Sequence, residues 1–235
     1  MPAISSHPPL QALAGQYGLI AAITARLAVI HDRLSADQRA PTSARDRDRV
    51  LDRHIADSLV ALELEVVRDA RRIADLGSGA GLPGLVLAAA RPDTTVCAVE
   101  SRNGKCAWIA SLADAAGLEN VQVVCARAEE WSGGLGANDL VVARALAAQP
   151  VVVEYAAPLL VSGGHLVEWR GRRDSVDEAR GDAAAAELGL TRVEVRRVKP
   201  FPDAEARHLH VFRKVAATPP RFPRRAGAAA KRPLG

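Results

Sequence analysis

The feature that most constrains this chain is the glycine-rich segment IADLGSGAGLPG at residues 73–84. A short β-prone run ends in Asp75 and Leu76, and four glycines follow at once: Gly77, Gly79, Gly81 and Gly84. Glycines at such a turn let a ligand approach the backbone closely and let the next helix begin beside the strand. The segment therefore predicts a strand–turn–helix unit that binds a nucleotide-type ligand.

The glycine segment fits two ligand patterns. Gly79, Gly81 and Gly84 satisfy G-x-G-x-x-G, the pattern of dinucleotide-binding turns, whereas Asp75 with the first three glycines gives D-x-G-x-G-x-G, the commoner form in S-adenosylmethionine enzymes. Either pattern taken alone is a weak signal, and glycine turns also connect strands to helices without any ligand. Residues outside the segment have to decide between these interpretations.

Charged residues after the next three β-prone runs favour S-adenosylmethionine. Glu100 closes the run TVCAVE, where a carboxylate can accept hydrogen bonds from both ribose hydroxyls of either ligand. The run VQVVC leads into ARAEEW, which places Ala128 and Glu129 on a rim that faces an adenine. Arg144 ends the run DLVVAR and is expected to open onto the ligand crevice, although a surface ion pair is the simpler alternative.

Short β-prone runs alternate with helical or loop segments from residue 72 onward. This alternation predicts an α/β fold with a doubly wound, seven-stranded, mostly parallel sheet. After a helix at about 174–188, the runs TRVEVRRV and RHLHVFRK are expected to supply a terminal antiparallel strand. Apolar positions at helical spacing between Leu10 and Leu34 and between Val50 and Leu62 predict helices before the sheet. We expect a helical extension over 1–66, a ligand-binding domain over 67–214 and a basic, Pro-rich arm over 215–235.

Charge is distributed unevenly along the chain. The net charge is +4 overall, but residues 214–235 hold six basic side chains and no acid, so residues 1–213 carry about −2. A basic segment of this kind is typical of chains that meet a polyanion, which makes nucleic acid an early candidate partner. Its four prolines and lack of periodicity predict an extended arm that becomes ordered only on a partner, or a solvated tail.

Neither a metal site nor a membrane span is predicted. Cys97, Cys106 and Cys125 are spaced like neither a disulfide framework nor paired zinc ligands, and are interpreted as reduced, packed thiols. The longest apolar run, Leu82 to Ala90, is far shorter than the roughly 18 residues that cross a bilayer. The first ten residues contain no Lys or Arg, so no export signal is visible and a cytoplasmic location is expected.

Five motifs in order make the chain resemble a known family. They are RHIADS at 53–58, GSGAGLPG at 77–84, Arg127-Ala128-Glu129, Ala143-Arg144-Ala145, and a closing Pro-Arg-Arg-x-Gly at 223–227. Together they resemble the ribosomal small-subunit methyltransferase G family, also known as glucose-inhibited division protein B. The resemblance implies a class I, Rossmann-like S-adenosylmethionine-dependent methyltransferase that methylates N7 of one guanine in 16S rRNA of the small ribosomal subunit.

The resemblance also implies roles for individual residues. Cofactor contacts are expected from the glycine segment, the ribose-binding acid, the adenine rim and the strand-end arginine: Gly77, Gly79, Gly81, Leu82, Glu100, Ala128, Glu129 and Arg144. Arg144 and His54 are the candidates for orienting the reacting groups. RNA contacts are expected from the RHIADS motif, the end of the fifth strand and the arm: Asp57, Ser58, Arg170, Arg172, Arg221, Arg224, Arg225, Lys231 and Arg232. Spacing alone would also allow the RHIADS motif to be a packed helix.

The chain departs from the family pattern at one position, and three competing functions remain as alternatives. The family commonly has Lys-Gly after its fifth strand, and this chain has Arg170-Gly171, which keeps the positive charge and changes its geometry. A small-molecule methyltransferase, an NAD-dependent dehydrogenase and a noncatalytic rRNA-binding assembly factor are the alternatives. The expected protein is a monomer that acts on rRNA or the 30S subunit without a metal ion.

Overall fold

The computed structural model describes residues 8–235. Its sheet has the order β3-β2-β1-β4-β5-β7-β6. The strands are β1 (Arg72–Leu76), β2 (Thr95–Glu100), β3 (Val121–Cys125), β4 (Asn138–Arg144), β5 (Leu160–Arg170), β6 (Leu190–Arg197) and β7 (His208–Lys214). All pairings are parallel except those of β7, which lies antiparallel between β5 and β6. The α/β fold with a mostly parallel, seven-stranded sheet is thus confirmed.

Helices cover both faces of the sheet. The α-helices are α1 (Pro8–Gln16), α2 (Ala21–Ala36), α3 (Arg47–Val50), α4 (Asp57–Leu59), α5 (Glu65–Arg68), α6 (Gly84–Ala90), α7 (Asn103–Ala115), α8 (Gln149–Ala156), α9 (Ser175–Leu188) and α10 (Ala228–Lys231). A π-helix, Leu51–Ala56, joins α3 to α4, and the short 3-10 turn Ala128–Glu130 follows β3. None of the helices in residues 8–235 is long and apolar enough to cross a membrane.

Strand alternation divides the core between the two faces. Along β4, Leu140 and Val142 point into a cluster formed with the N-terminal helices, α6 and α7, whereas Val141 and Ala143 point into a cluster with α8 and α9. This is the two-residue period expected of a strand covered on both sides. The N-terminal helices therefore form part of one continuous core with the sheet. Predictions that concern residues 1–7, including His7, lie outside the described residues.

The C-terminal arm is folded onto the protein, so the prediction of an extended arm that orders only on a partner is wrong. Phe222 and Ala229 are buried, with 8% and 1% of their surface exposed. Arg224 donates to Glu154 on α8, and Arg221 donates to Glu187 on α9. Sequence composition suggested disorder because the arm is rich in proline and charge, but its few apolar side chains and these carboxylates, distant in sequence, hold it in place.

The interpretation of all three cysteines as reduced thiols is also corrected. Cys106, near the start of α7, and Cys125, at the end of β3, form a disulfide, and Cys97 is a buried free thiol. The two bonded residues are 19 positions apart in the chain. Because the chain reverses direction between α7 and β3, the end of β3 lies beside the first turn of α7. Linear spacing does not reveal this closeness.

Candidate active site

A crevice opens where the sheet order reverses, at the carboxyl ends of β1 and β4. In α/β sheets this switch point is where ligands bind. The crevice holds two adjoining cavities, one of about 370 Å³ that includes Glu100 and one of about 610 Å³ that includes Arg144. We call them the Glu100 cavity and the Arg144 cavity. Gly77, Lys105 and Ala145 line both, so these three residues form the boundary between them.

The glycine segment forms the turn between β1 and α6. Gly77 has a φ of +67°, and a Cβ there would lie 2.6 Å from Leu146 Cδ1. At Gly84 a Cβ would lie 2.6 Å from Asp75 Oδ2, which accepts a hydrogen bond from the Gly84 N–H at 2.9 Å. Burial raises the pKa of Asp75 to about 6, because the desolvation of the carboxylate outweighs its hydrogen bonds. The buried Asp75 thus holds the turn closed against the start of α6.

The Glu100 carboxylate is held beside the glycine turn by backbone hydrogen bonds. Its Oε2 accepts from the Gly79 N–H at 3.1 Å, and its Oε1 accepts from the Arg102 N–H at 2.9 Å. Lys105 Nζ lies 4.0 Å from the same carboxylate. These bonds fix the carboxylate against the glycine turn, and because each carboxylate oxygen can accept more than one hydrogen bond, capacity remains for a ligand.

Ala128 and Glu129, the residues expected at an adenine rim, are both among the residues that line the Glu100 cavity. Both belong to the 3-10 turn that follows β3. Glu129 has a second neighbour that the sequence did not indicate: its Oε1 accepts a hydrogen bond of 2.8 Å from the Gly227 N–H of the C-terminal arm. The rim and the arm are therefore joined directly.

Arg144 ends β4 and extends into the cavity that bears its name. Its Nη1 donates to Asp57 Oδ2 at 2.9 Å and to the Arg53 carbonyl at 3.2 Å. Asp57 is buried, and it receives a second cation, because Arg207 Nε lies 3.3 Å from Asp57 Oδ1. The simple alternative of a surface ion pair does not describe Arg144, whose partner is buried at the wall of the crevice.

The RHIADS motif owes its shape to the π-helix. The Asp57 N–H donates to the Asp52 carbonyl five residues back, and the widened turn brings the Arg53 carbonyl and the Asp57 carboxylate to the same arginine. π-Helical turns of this kind are frequent at functional sites. The Asp57 carbonyl also accepts a 2.6 Å hydrogen bond from Trp169 Nε1, which ties the motif to β5.

His54 lies in the Arg144 cavity as a neutral ring with both nitrogens engaged. Its Nδ1 is 3.0 Å from the Arg53 carbonyl, which can only accept, so Nδ1 carries the proton and Nε2 accepts from the Thr42 hydroxyl at 2.7 Å. Burial, followed by the positive charge of Arg144, lowers the pKa of His54 to about 4. At neutral pH this histidine is therefore uncharged.

Ser58 and Asp57 were expected to contact RNA, and the structure gives them internal roles. Ser58 is fully buried, and its hydroxyl donates to the His54 carbonyl. A side chain without exposed surface cannot touch a macromolecule, so the prediction for Ser58 is corrected. Asp57 lines the Arg144 cavity, but its carboxylate faces two arginines of the protein. Both residues support Arg144 from behind.

Arg170 lines the Arg144 cavity, and its guanidinium is bound by other groups of the protein. Its guanidinium donates to Glu168, to Asp177 at the start of α9 and to the Ala147 carbonyl. The segment that it holds, residues 145–148, begins with Ala145 at a φ of +53°, a strained conformation for a residue other than glycine. Arg170 therefore braces the strained segment that forms the boundary between the two cavities.

The brace rests on a buried polar network. Glu168 Oε2 accepts from Gln149 Nε2 at 2.8 Å, and the same amide is 2.9 Å from His210 Nδ1. Burial raises the pKa of Glu168 to about 7, an effect that the nearby Arg170 only partly offsets. Burial and the Arg192 guanidinium lower the pKa of His210 to about 4. Glu168 is thus the group in this network whose charge changes near neutral pH.

Sequence reasoning missed several lining residues of the Arg144 cavity, among them Thr42, Lys105 and Arg207. Thr42 lies in a loop whose Pro-Thr-Ser composition signals only a break between helices. Lys105 lies one turn into α7, and Arg207 begins the last strand run in a chain with many arginines. Their proximity to the cavity depends on the tertiary fold. Arg172, which was predicted, is exposed at the mouth of the same cavity.

The residues of the Glu100 cavity fit an S-adenosylmethionine-sized cofactor. The glycine turn brings its backbone to the cavity wall, and Glu100 supplies carboxylate oxygens for vicinal hydroxyls. Ala128 and Glu129 line this cavity and not the Arg144 cavity. Within residues 8–235 no group of three or more His, Cys, Asp or Glu side chains could hold a metal ion.

Comparison with known proteins identifies the family. The model of the rRNA small subunit methyltransferase G family matches residues 35–209. The chain belongs to this family. Proteins named ribosomal RNA small subunit methyltransferase G are 39% identical over 196 residues in Rubrobacter xylanophilus, where 81% of this chain and 75% of the relative are covered, and 31% identical in Moorella thermoacetica, where 93% and 90% are covered.

Solved structures agree with the family fold. A SAM-dependent O-methyltransferase from Thermotoga maritima superposes with a TM-score of 0.54 at 21% identity, covering 80% of this chain and 71% of that one. A predicted O-methyltransferase from Agrobacterium tumefaciens gives 0.53 at 25% identity, with 69% and 80% covered. The methyltransferase G family residues described above thus lie on the sheet of S-adenosylmethionine-dependent methyltransferases, and the chain is a methyltransferase.

Proposed function

We propose that this protein transfers the methyl group of S-adenosylmethionine to N7 of a guanine in 16S rRNA of the small ribosomal subunit. The observation that carries the proposal is the pair of adjoining cavities in a methyltransferase G family chain, with Arg144 on one side of their boundary and Glu100 on the other. One cavity suits the cofactor and the other suits a base. The protein acts in the cytoplasm as a monomer in this proposal.

The cofactor, when bound, supplies an electrophilic methyl group on a sulfonium centre. In this proposal the Glu100 carboxylate binds the ribose, and Ala128 and Glu129 border the adenine. Gly77 lines both cavities, and Gly79 and Leu82 line the Arg144 cavity, whereas Gly81, also expected to contact the cofactor, lines neither cavity and shapes the turn. Arg144 and Ala145 then stand where the methyl group meets the base. These residues hold the two reactants in line, an effect that can be worth about 7 to 11 kcal/mol in well-aligned systems.

Guanine N7 carries a free lone pair, so its attack on a methyl group requires no prior deprotonation. His54 agrees with this chemistry, because its Nε2 already accepts a hydrogen bond from the Thr42 hydroxyl and burial lowers its pKa to about 4. Arg144 donates hydrogen bonds to fixed acceptors and can turn remaining N–H groups toward the base. Both residues are orienting groups and neither transfers a proton in this proposal.

The Arg144 cavity is surrounded by cations suited to RNA. Arg53, Arg172 and Arg207 line it together with Arg144. N7 lies on the major-groove edge, which is deep and narrow in A-form RNA, so the target guanine has to be unpaired or turned out of its stack. The exposed arginines at the cavity mouth, among them Arg172, are then positioned for the phosphates that flank this base.

The test is transfer of a radiolabelled methyl group from S-adenosylmethionine to 30S subunits that lack the modification, and in parallel to free 16S rRNA. We expect 7-methylguanine on hydrolysis of the labelled rRNA, and at least a 100-fold lower rate for Arg144→Ala. Arg213→Ala, an exposed arginine at the opposite end of the sheet, is the matched control and should retain the wild-type rate. Calorimetry with S-adenosylmethionine and NAD separates the two cofactor classes.

Measurable S-adenosylmethionine binding without incorporation into subunits or rRNA would overturn the rRNA substrate and favour a small-molecule methyltransferase. Binding of NAD in place of S-adenosylmethionine would overturn the cofactor. Binding of RNA without any turnover would indicate a noncatalytic assembly factor.

A further inference from the structure

The C-terminal arm encloses a basin of its own. Residues 221–232 form a cavity of about 880 Å³ whose walls carry five cationic side chains and no acidic one: Arg221, Arg224, Arg225, Lys231 and Arg232. We call this surface the arm basin. It is separate in lining from both the Glu100 cavity and the Arg144 cavity. Five like charges around one concave surface repel each other unless something holds them in place.

Two of the five cations are used to fix the arm. Arg224 makes a two-pronged ion pair with Glu154, a carboxylate that is 2% exposed on α8. Arg221 donates to Glu187 on α9 at 2.7 Å. The Gly227 N–H adds its 2.8 Å hydrogen bond to Glu129 on the adenine rim. These contacts fix the basin relative to the Glu100 cavity.

The other three cations point outward. Arg225, Lys231 and Arg232 are exposed, and within residues 8–235 their side chains make no ion pair with a carboxylate. Phe222 and Ala229, two apolar residues of the arm, are buried, and the apolar residue exposed in the wall of the basin is the small Ala226. A surface with unpaired cations and no large exposed apolar side chain suits a phosphate backbone better than a bilayer, which rewards apolar insertion.

We propose that the arm basin is a preformed docking surface for RNA phosphates, with Arg225, Lys231 and Arg232 as the contacts and Arg221 and Arg224 as anchors. This inference rests on the proposed function and divides the arm cations, all predicted to bind RNA, into two groups. The bond between Gly227 and Glu129 holds the docking surface at a fixed position beside the cofactor rim, so RNA that binds the basin is presented to the crevice in one orientation.

The first experiment compares two charge-matched double variants, Arg225→Ala/Arg232→Ala and Arg71→Ala/Arg213→Ala. The second pair is exposed at the amino-terminal end of the parallel strands, away from the crevice. Equilibrium binding to unmethylated 30S subunits is measured over a range of salt concentrations. For the arm pair we expect about tenfold weaker binding and a decrease of about 1.4 to 1.8 in the log–log salt slope, since each phosphate contact contributes about 0.7 to 0.9.

The second experiment uses Glu154→Gln, which removes a negative charge from the protein. If the arm were merely a charged tail, the more positive protein would bind subunits as tightly as wild type or more tightly. If the arm basin is a docking surface held in place by Glu154, binding to subunits should instead become weaker, because Arg224 loses the carboxylate that anchors it. Amide hydrogen exchange should also accelerate at residues 227–231.

The outcomes separate this inference from the proposed function. If wild type produces 7-methylguanine but the arm pair binds subunits like the control pair, the docking surface is wrong and the function stands. If wild type methylates no rRNA, the function fails before the arm is tested. Binding of the arm to phosphatidylglycerol vesicles, lost in the arm pair while subunit binding is kept, would assign the basin to a membrane and overturn the inference. The exposed arm pair keeps the test decisive even if Glu154→Gln unfolds.

Discussion

Arg144 Nη1 lies 2.9 Å from Asp57 Oδ2, and the two residues are 87 positions apart in the sequence. Asp57 is buried and Arg144 is mostly covered, so the pair is shielded from solvent. Removing one partner of such a pair leaves the other charge uncompensated. The orientation of Arg144 therefore depends on a carboxylate that never has to touch a substrate.

Asp57→Asn is expected to lower kcat by about 100-fold while S-adenosylmethionine affinity changes by less than about threefold. The amide keeps the size of the side chain but cannot neutralise Arg144 and Arg207, so both guanidinium groups turn away. Single-turnover methyl transfer and calorimetry measure the two quantities. Asp182→Asn is the control, since that exposed carboxylate pairs with Arg192 outside the crevice. Equal losses in the two variants would contradict the role given to Asp57.

Arg170→Ala separates positioning from RNA contact. The side chain is bound to Glu168, Asp177 and the Ala147 carbonyl, so its loss should release the strained segment that begins at Ala145. We expect kcat to fall about 10-fold or more, with an unchanged salt slope of subunit binding. A phosphate contact would instead lower that slope by about 0.7 to 0.9 and leave kcat intact. Arg170→Lys should restore part of the rate, because an ammonium group can still bind one of the acids.

Glu168→Gln should change how stability depends on pH. The pKa of Glu168 is raised from 4.5 to about 7 in the folded protein, so the folded state holds a proton that the unfolded state releases. Its contribution to stability is therefore complete below about pH 4.5 and is lost as pH rises through 7, by on the order of 3 kcal/mol. Chemical denaturation at pH 5 and pH 8 measures the free energy of unfolding. The variant should lack this loss, and an identical pH profile for both proteins would sink the assignment.

Reduction of the disulfide between Cys106 and Cys125 should lower the free energy of unfolding by about 3 kcal/mol. The bond closes a loop with a sequence separation of 19, and closing a loop of this size restricts the unfolded chain by roughly that amount. Urea denaturation with and without dithiothreitol gives the difference. In Cys125→Ser the reductant should have no effect. Three titratable thiols in the unreduced, denatured wild-type protein would show that the bond is absent.

Local patterns in the sequence were sufficient for the sheet and for the ligand-binding turn. The runs RIADL, TVCAVE and VQVVC coincide with β1, β2 and β3, because alternating or continuous apolar residues bounded by turns leave few other structures. Arg144 and Glu100 could be placed because the end of a parallel strand has a fixed relation to the crevice.

Contacts between distant segments were beyond the same reasoning. Asp57 and Arg170 were expected to contact RNA, but Asp57 binds Arg144, 87 positions away, and Arg170 donates to the Ala147 carbonyl, 23 positions away. The π-helix before Asp57 has no signature in residue type or spacing. The composition of the arm correctly predicted a basic segment but wrongly predicted that the segment is disordered. The carboxylates that hold it, Glu154 and Glu129, lie about 70 and 98 residues from their partners in the arm.

Gly77 and Ala145 belong to the walls of both cavities. Both residues have very small side chains, so in the proposed reaction little more than backbone separates the methyl donor from the guanine. A bulky side chain at either position would therefore insulate the donor from the acceptor even if each still occupied its own cavity.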